Sequence, residues 1–177
     1  MSLQFYNSLK KEKEIFQPIE KGKVGLYTCG PTVYDYAHIG NFRTFMFEDL
    51  LKRWLLHLRY DVKHVMNITD VDDKTIKKAK QMKISLSRIT DKYTQYFMED
   101  LTWLKMIPAD IYPTATESIP KMISMIERLL EKGFAYCEDD GSVYFNISSF
   151  PNYGKLTQVN ISAQRTGDRV MEDEYDK

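Results

Sequence analysis

A chain of 177 residues, 43% hydrophobic and 28% charged, has the size and composition of one globular domain, which excludes a disordered chain. Basic and acidic residues number 25 each, so no whole-chain positive excess argues for a nucleic-acid binder. The N-terminal stretch lacks the basic start and apolar run of a secretory signal, no apolar run approaches the ~18 to 20 residues of a bilayer span, and Cys29 and Cys137 alone make no disulfide framework; a soluble protein of the reducing cytosol is expected.

Lys23 to Cys29 (KVGLYTC) reads as a short buried strand entering a turn at Gly30-Pro31. An amphipathic helix follows Gly40, because Phe47, Leu50, Leu51, Trp54, Leu55 and Leu58 recur at the spacing of one helix face. Glu48, Asp49, Lys52, Arg53 and His57 take the other side. Tyr60-Asp61 ends the pattern, and DVKHVMNI (61–68) reads as a second strand. Strand, helix, strand at this spacing is a βαβ unit with a parallel, right-handed crossover.

TDVDDKTIKKAKQ begins another helix, and a long one from Ser85 to Lys105 carries Leu86, Ile89, Tyr93, Phe97, Leu101 and Leu104 on its apolar side. ADIYPTAT suits a third strand with Pro113 at its rim. Ser118 and Pro120 are expected to open a further helix lined by Met122, Ile123, Ile126, Leu129 and Leu130 and closed by Gly133. FAYCEDDGSVYFNI (134–147) sets two strand-like runs around Asp-Asp-Gly, a hairpin signal. Past Pro151 the sequence turns polar and ends in MEDEYDK. Three parallel strands and a hairpin make a partial α/β sheet, so the chain is expected to be the first part of something longer.

His38-Ile39-Gly40-Asn41 falls between the first strand and its helix, the crevice where open α/β sheets bind ligands. A helix start offers free N–H groups and partial positive charge for phosphate, Gly40 removes the obstacle of a Cβ, and His38 and Asn41 can donate to phosphoryl oxygens. The alternative is a turn with a capping residue and an exposed histidine. Cys29 at a strand end is ordinarily a small buried hydrophobe, and the two Cys and three His show no close-spaced ligand pair. Asp70, Asp72 and Asp73 invite a metal reading but miss the EF-hand pattern, with Thr75 at the glycine place and Gln81 at the final glutamate; capping of the next helix is expected. Thr69 is expected to face the crevice. Tyr34, Asp35 and Tyr36 either pack under a ligand or shape the loop. Arg43 could reach a phosphate but reads as a solvated face, as do KKAK and LKKEKE.

CGPTVYDYAHIGNFRTF followed by VMNITDVDDK resembles the catalytic domain of the cysteinyl-tRNA synthetases, a class I aminoacyl-tRNA synthetase family. HIGN corresponds to that family's HIGH signature, and the likeness extends through ATESI and the following helix and hairpin. It implies a Rossmann-like parallel sheet with flanking helices, present in part. Residues 1–110 would be the first half of the nucleotide-binding catalytic domain, and 111–177 an inserted connective region with helix, β-hairpin and polar tail. It further implies ATP-dependent activation of L-cysteine to cysteinyl-adenylate and transfer to tRNA(Cys), with Mg2+ accompanying ATP. His38 and Asn41 would be catalytic, His38, Gly40 and Asn41 would meet ATP, and Cys29, Gly30, Thr32 and Thr69 would hold cysteine.

The matching cysteine in the family is a ligand of Zn2+, which selects the substrate sulfur over a hydroxyl. The other family ligands would lie beyond residue 177, so an incomplete metal site is expected and Cys137 reads as structural. Neither a KMSKS-like loop nor the helical tRNA-reading region is found, so tRNA would be met through regions mostly absent from this chain and inactivity alone is expected. A cytoplasmic monomer with no membrane contact completes the expectation. The rival readings are a non-catalytic paralogue acting as a binding module, and a nucleotidylyltransferase with an HxGH-type turn. A ligase joining cysteine to a sugar amine shares the chemistry, but PTVYDYAHIGN is closer to the tRNA enzymes.

Overall fold

Residues 3–156 are described by a computed structural model. The described residues divide into two compact units, 18–124 and 3–17 together with 125–156. In the second unit, β1 (Gln4–Asn7) and β2 (Glu12–Ile15) pair antiparallel, Gln4 opposite Ile15 and Asn7 opposite Glu12. Asn7 Oδ1 accepts from the Leu9 amide at 2.9 Å, an Asn-driven turn. The LKKEKE segment taken as a solvated face thus supplies part of a hairpin. Its charges mask the alternation, and the apolar contact is the edge-on pair Phe5–Phe16 at 5.3 Å.

The larger unit is built on β3 (Lys23–Thr28), α1 (Ile39–His57) and β4 (Asp61–Met66). The two strands run parallel, Lys23 opposite Asp61 through Thr28 opposite Met66, with the helix as crossover. Beyond the strands a parallel bridge continues at Thr32–Thr69, where the Val33 amide donates to Thr69 O at 3.1 Å and the Thr69 amide to Pro31 O at 3.0 Å. ADIYPTAT pairs with β4 and its extension at isolated parallel bridges, Val65–Ile111 and Ile68–Thr114. Asp110 adds an amide donated to His64 O at 2.9 Å and a carboxylate accepting from the His64 amide at 2.7 Å. Pro113 brings no N–H to that ladder and takes part through its carbonyl, which accepts from Ile68 at 2.9 Å.

The inward face of α1 matches the one its spacing predicts only in part: Leu55 is buried and Leu51 and Leu58 are half-buried, but the rest of that face is not. Phe42, Phe45, Lys52 and Leu55 are buried, whereas Phe47, Leu50 and Trp54 are 67%, 61% and 46% exposed. The helix carries apolar residues on two sides, so periodicity alone cannot choose between them. On the side that packs, the Lys52 stem lies in the core while its ammonium donates to Pro108 O at 2.7 Å and stands 3.6 Å from Asp110.

α2 (Asp73–Met82) and α3 (Leu86–Trp103) close the core. Ile89, Tyr93, Phe97 and Leu101 of α3 are buried with Val33, Phe42, Phe45, Met66, Ile68 and Ala79. Leu104 is 44% exposed because it caps the helix instead of extending its face.

α4 (Ala115–Glu131) starts in the larger unit and continues into the other. It begins before Ser118, with Pro120 inside it, because Asp70 accepts from the Thr116 amide at 2.9 Å and also binds the Thr116 hydroxyl. Gly133, at φ 73°, ends it as a left-handed C-cap. β5 (Ala135–Cys137) and β6 (Val143–Phe145) pair antiparallel, with Gly141 at φ 84° in the turn. The acidic end of the predicted polar tail lies outside the described residues, and among those described no helix is long and apolar enough to cross a membrane.

Candidate functional site

At the C-terminal ends of β3 and β4 the chain turns sharply through Cys29 and Gly30. Cys29 is exposed, its Sγ 3.7 Å from Gly30 O, rather than sealed in apolar packing. Gly30 is dictated by space, since a Cβ there would fall 1.8 Å from the Asn67 carbonyl oxygen. Asn67, which neither periodicity nor motif singles out, joins the corner to Thr69. Its Oδ1 accepts from the Gly30 amide at 3.2 Å and from the Tyr27 hydroxyl at 2.9 Å, and its Nδ2 stands 3.2 Å from Thr69 Oγ1. The one sequence signal was a polar residue interrupting the apolar run Met66–Ile68 at a strand end.

His38 is the N-cap of α1 and forms a capping box with Asn41. The Gly40 amide donates to His38 Nδ1 at 3.0 Å, and the His38 amide donates to Asn41 Oδ1 at 3.0 Å. In the neutral ring an accepting Nδ1 puts the proton on Nε2, so the exposed imidazole offers an N–H outward. Asn41, its oxygen engaged, offers Nδ2. A Cβ at Gly40 would lie 2.9 Å from His38 Cε1, so the glycine makes room for the ring that caps the helix.

A cavity of about 240 Å³ brings Thr32, His38 and Asn41 together, walled by Tyr34, Lys74 and Phe97 among others. Gly40 and Arg43 line a separate open cleft of about 800 Å³. Tyr36 packs edge-on against Tyr93 at 5.1 Å and against Tyr96 at 4.9 Å, which fixes the loop, while Tyr34 lies under the Lys74 ammonium at 5.8 Å. Lys78, bonded to Asp35 at 2.6 Å, holds that carboxyl below its usual range.

The acidic trio divides its work. Asp72 caps α2, accepting from the Lys74 amide at 2.9 Å, and Asp70 holds the start of α4. Among the described residues no three His, Cys, Asp or Glu side chains converge where a metal could sit. A protein zinc ion takes four ligands, so Cys29, a single exposed sulfur, does not by itself fit one.

Behind the corner lies a buried polar group. Thr28 Oγ1 meets His64 Nε2 at 2.9 Å and lies beside the Glu48 carboxyl. His64 Nδ1 and Glu48 Oε2 are buried without a hydrogen-bond partner among the described residues. Burial, then the Lys52 charge, pushes the His64 pKa below 6.5, against the weaker pull of Asp110 and Asp49. Burial pushes the Glu48 carboxyl above 4.5, opposed by the Thr28 hydroxyl.

The two have opposite signs in stability. Between the folded His64 value and 6.5 the unfolded chain binds more protons, so His64 destabilises the fold as pH falls through that window and has no effect above it. Glu48, raised, gives the folded chain the extra proton and stabilises it on acidification. His64→Gln removes this titration, so its stability relative to the parent is expected to be constant above pH 6.5 and to rise as pH falls below it. Urea midpoints across the pH series measure it.

Residues 15–177 match the family model described as tRNA synthetases class I (C) catalytic domain. A cysteine–tRNA ligase of Chlamydia pneumoniae is 55% identical over 175 residues, covering 99% of this chain and 37% of that protein. The cysteine–tRNA ligases of Chlamydia trachomatis serovar D and Brachyspira hyodysenteriae are 55% and 54% identical over 177 residues, again with 37% of each covered. The chain thus spans 37% of the length of the curated relatives it matches.

Proposed function

The chain belongs to the class I (C) tRNA synthetase catalytic domain family, and on that premise we propose that it carries the nucleotide- and cysteine-binding part of a cysteine–tRNA ligase. In the whole enzyme the carboxylate of L-cysteine attacks the α-phosphorus of ATP and pyrophosphate leaves. The cysteinyl group of the adenylate then passes to the terminal ribose of tRNA(Cys). The observation that carries the reading is the His38–Asn41 capping box on the rim of the cavity beyond β3.

His38 Nε2–H and Asn41 Nδ2–H donate to phosphoryl oxygens as charge develops, with the α1 N-terminus supplying partial positive charge and Mg2+ accompanying the triphosphate. Gly40 seats the imidazole and keeps the backbone open to the nucleotide. Cys29, Gly30, Thr32 and Thr69 form the amino-acid subsite. No protein nucleophile is required, since placing carboxylate and α-phosphorus together does the work. Cys29 is offered as one donor to a Zn2+ whose other donors would have to come from outside the described residues; such a metal would favour a soft sulfur ligand over a hydroxyl. The β3–α1–β4 crossover is read as the start of a Rossmann-like sheet, residues 1–110 as its nucleotide-binding half and 111–177 as the connective region. Transfer to tRNA(Cys) is placed on regions mostly outside this chain, in a cytoplasmic monomer.

A non-hydrolysable cysteinyl-adenylate analogue tests the reading. Saturable binding, weakened roughly tenfold or more by His38→Ala through loss of a charge-assisted hydrogen bond, is the expected result. His38→Asn restores the helix cap, since Asn is a strong N-cap, without restoring affinity. Equal affinity for all three overturns the assignment of His38. Cysteine-dependent ATP–pyrophosphate exchange by the chain alone is expected to be absent, and robust exchange would refute the division of the active site.

A further inference from the structure

Asn67 receives donors from two parts of the corner and presents its own donor to a third. The Gly30 N–H can only donate, so the Asn67 atom 3.2 Å away is the oxygen. The Tyr27 hydroxyl, 2.9 Å away, gives that oxygen a second donor. This fixes the orientation of the amide and sets Nδ2 against Thr69 Oγ1 at 3.2 Å. An amide nitrogen has only protons to offer, so Thr69 accepts there. The proton of the Thr69 hydroxyl is then directed at some other acceptor.

We propose that Asn67 is the positioning residue of this corner: it holds the Cys29–Gly30 turn in place and sets the half-buried Thr69 hydroxyl as a donor to an anionic oxygen of the ligand. This rests on the amino-acid subsite proposed above, where that oxygen belongs to the substrate carboxylate. An ammonium group, which only donates, would leave the hydroxyl proton unused. The backbone of Asn67 acts in the same sense, its carbonyl filling the space a side chain at Gly30 would need.

Asn67→Asp separates the two roles, because a carboxylate keeps the acceptor for Gly30 and Tyr27 but loses the donor to Thr69. The Thr69 proton would then turn inward to the new carboxylate. Two readouts follow on this chain: amide hydrogen exchange at Gly30, and NMR titration with L-cysteine and with cysteamine, which lacks the carboxylate. Exchange at Gly30 is expected to stay slow in Asn67→Asp and to quicken about tenfold in Asn67→Ala. Cysteine binding is expected to weaken about tenfold in Asn67→Asp and equally in Thr69→Val, with cysteamine unaffected and Thr69→Ser like the parent.

The double variant separates this from simple charge repulsion. No further loss in Asn67→Asp/Thr69→Val shows that the effect runs through Thr69, and additive losses overturn it. Equal Gly30 exchange in the Asp and Ala variants overturns the positioning role. A parent chain that binds no cysteine sinks the amino-acid subsite and the ligand half of the proposal with it, while Gly30 exchange still decides the positioning half.

Discussion

Gly30→Ala is expected to lower the stability of the chain by about 3 kcal/mol or more, the upper end for overpacking. The added methyl would fall 1.8 Å from the Asn67 carbonyl oxygen and 3.0 Å from the Met66 side chain. A side chain could rotate aside, but a carbonyl at the end of β4 is held by the strand pairing around it. Relief therefore requires separating the ends of two paired strands. Gly25→Ala is the control, because a Cβ at that place in β3 meets nothing within 4 Å, and a change under about 1 kcal/mol is expected. Urea unfolding of the two variants measures the contrast, and similar losses in both would show that the close approach does not exist.

Phe97→Ala is expected to cost about 3–5 kcal/mol, the range for deleting a buried aromatic side chain. Phe97 is 2% exposed and its ring meets Phe45 edge-on at 5.1 Å and Phe42 at 6.4 Å. It joins α3 to α1 and also walls the cavity that holds His38 and Asn41. Truncation thus removes core contacts and enlarges the candidate site at once. A fall in Tm of roughly 10 °C is expected for a chain of this size. Trp103→Ala, on the same helix but 85% exposed, should change stability by no more than about 0.5 kcal/mol. Paired thermal scans decide the matter, and a tolerant Phe97→Ala would place the core elsewhere.

The contrast between those two aromatic residues is a fair measure of what could be read from the letters. The α3 face was legible because Ile89, Tyr93, Phe97 and Leu101 recur on one stripe and charged or hydroxyl residues fill most of the other positions. Asp72 was legible as a cap because capping is a local act, completed within three residues. The face of α1 was legible only in Leu51, Leu55 and Leu58, since Phe47, Leu50 and Trp54 compete with Phe42 and Phe45, and only tertiary packing chooses. Lys52 was assigned to solvent on its charge, whereas Pro108 O and Asp110 provide partners far along the chain. Asn67 escaped for the same reason, its Gly30 partner being 37 residues away. At the site, HIGN was visible as a helix start, but the use of His38 Nδ1 as the cap, which fixes where its proton sits, needs the coordinates.

The stretch from Asn67 to Asp72 behaves like a ruler with marks that several parts of the larger unit must meet at once. Asn67 reaches the Gly30 corner, Thr69 the Pro31–Val33 loop, Asp70 the beginning of α4, and Asp72 the beginning of α2. Adding or removing one residue between Asn67 and Asp70 would shift the later of those marks against a fixed partner, whereas the Asp72 cap would travel with α2. The length of this segment is therefore a tighter constraint on how the chain can vary than the identity of most side chains around it.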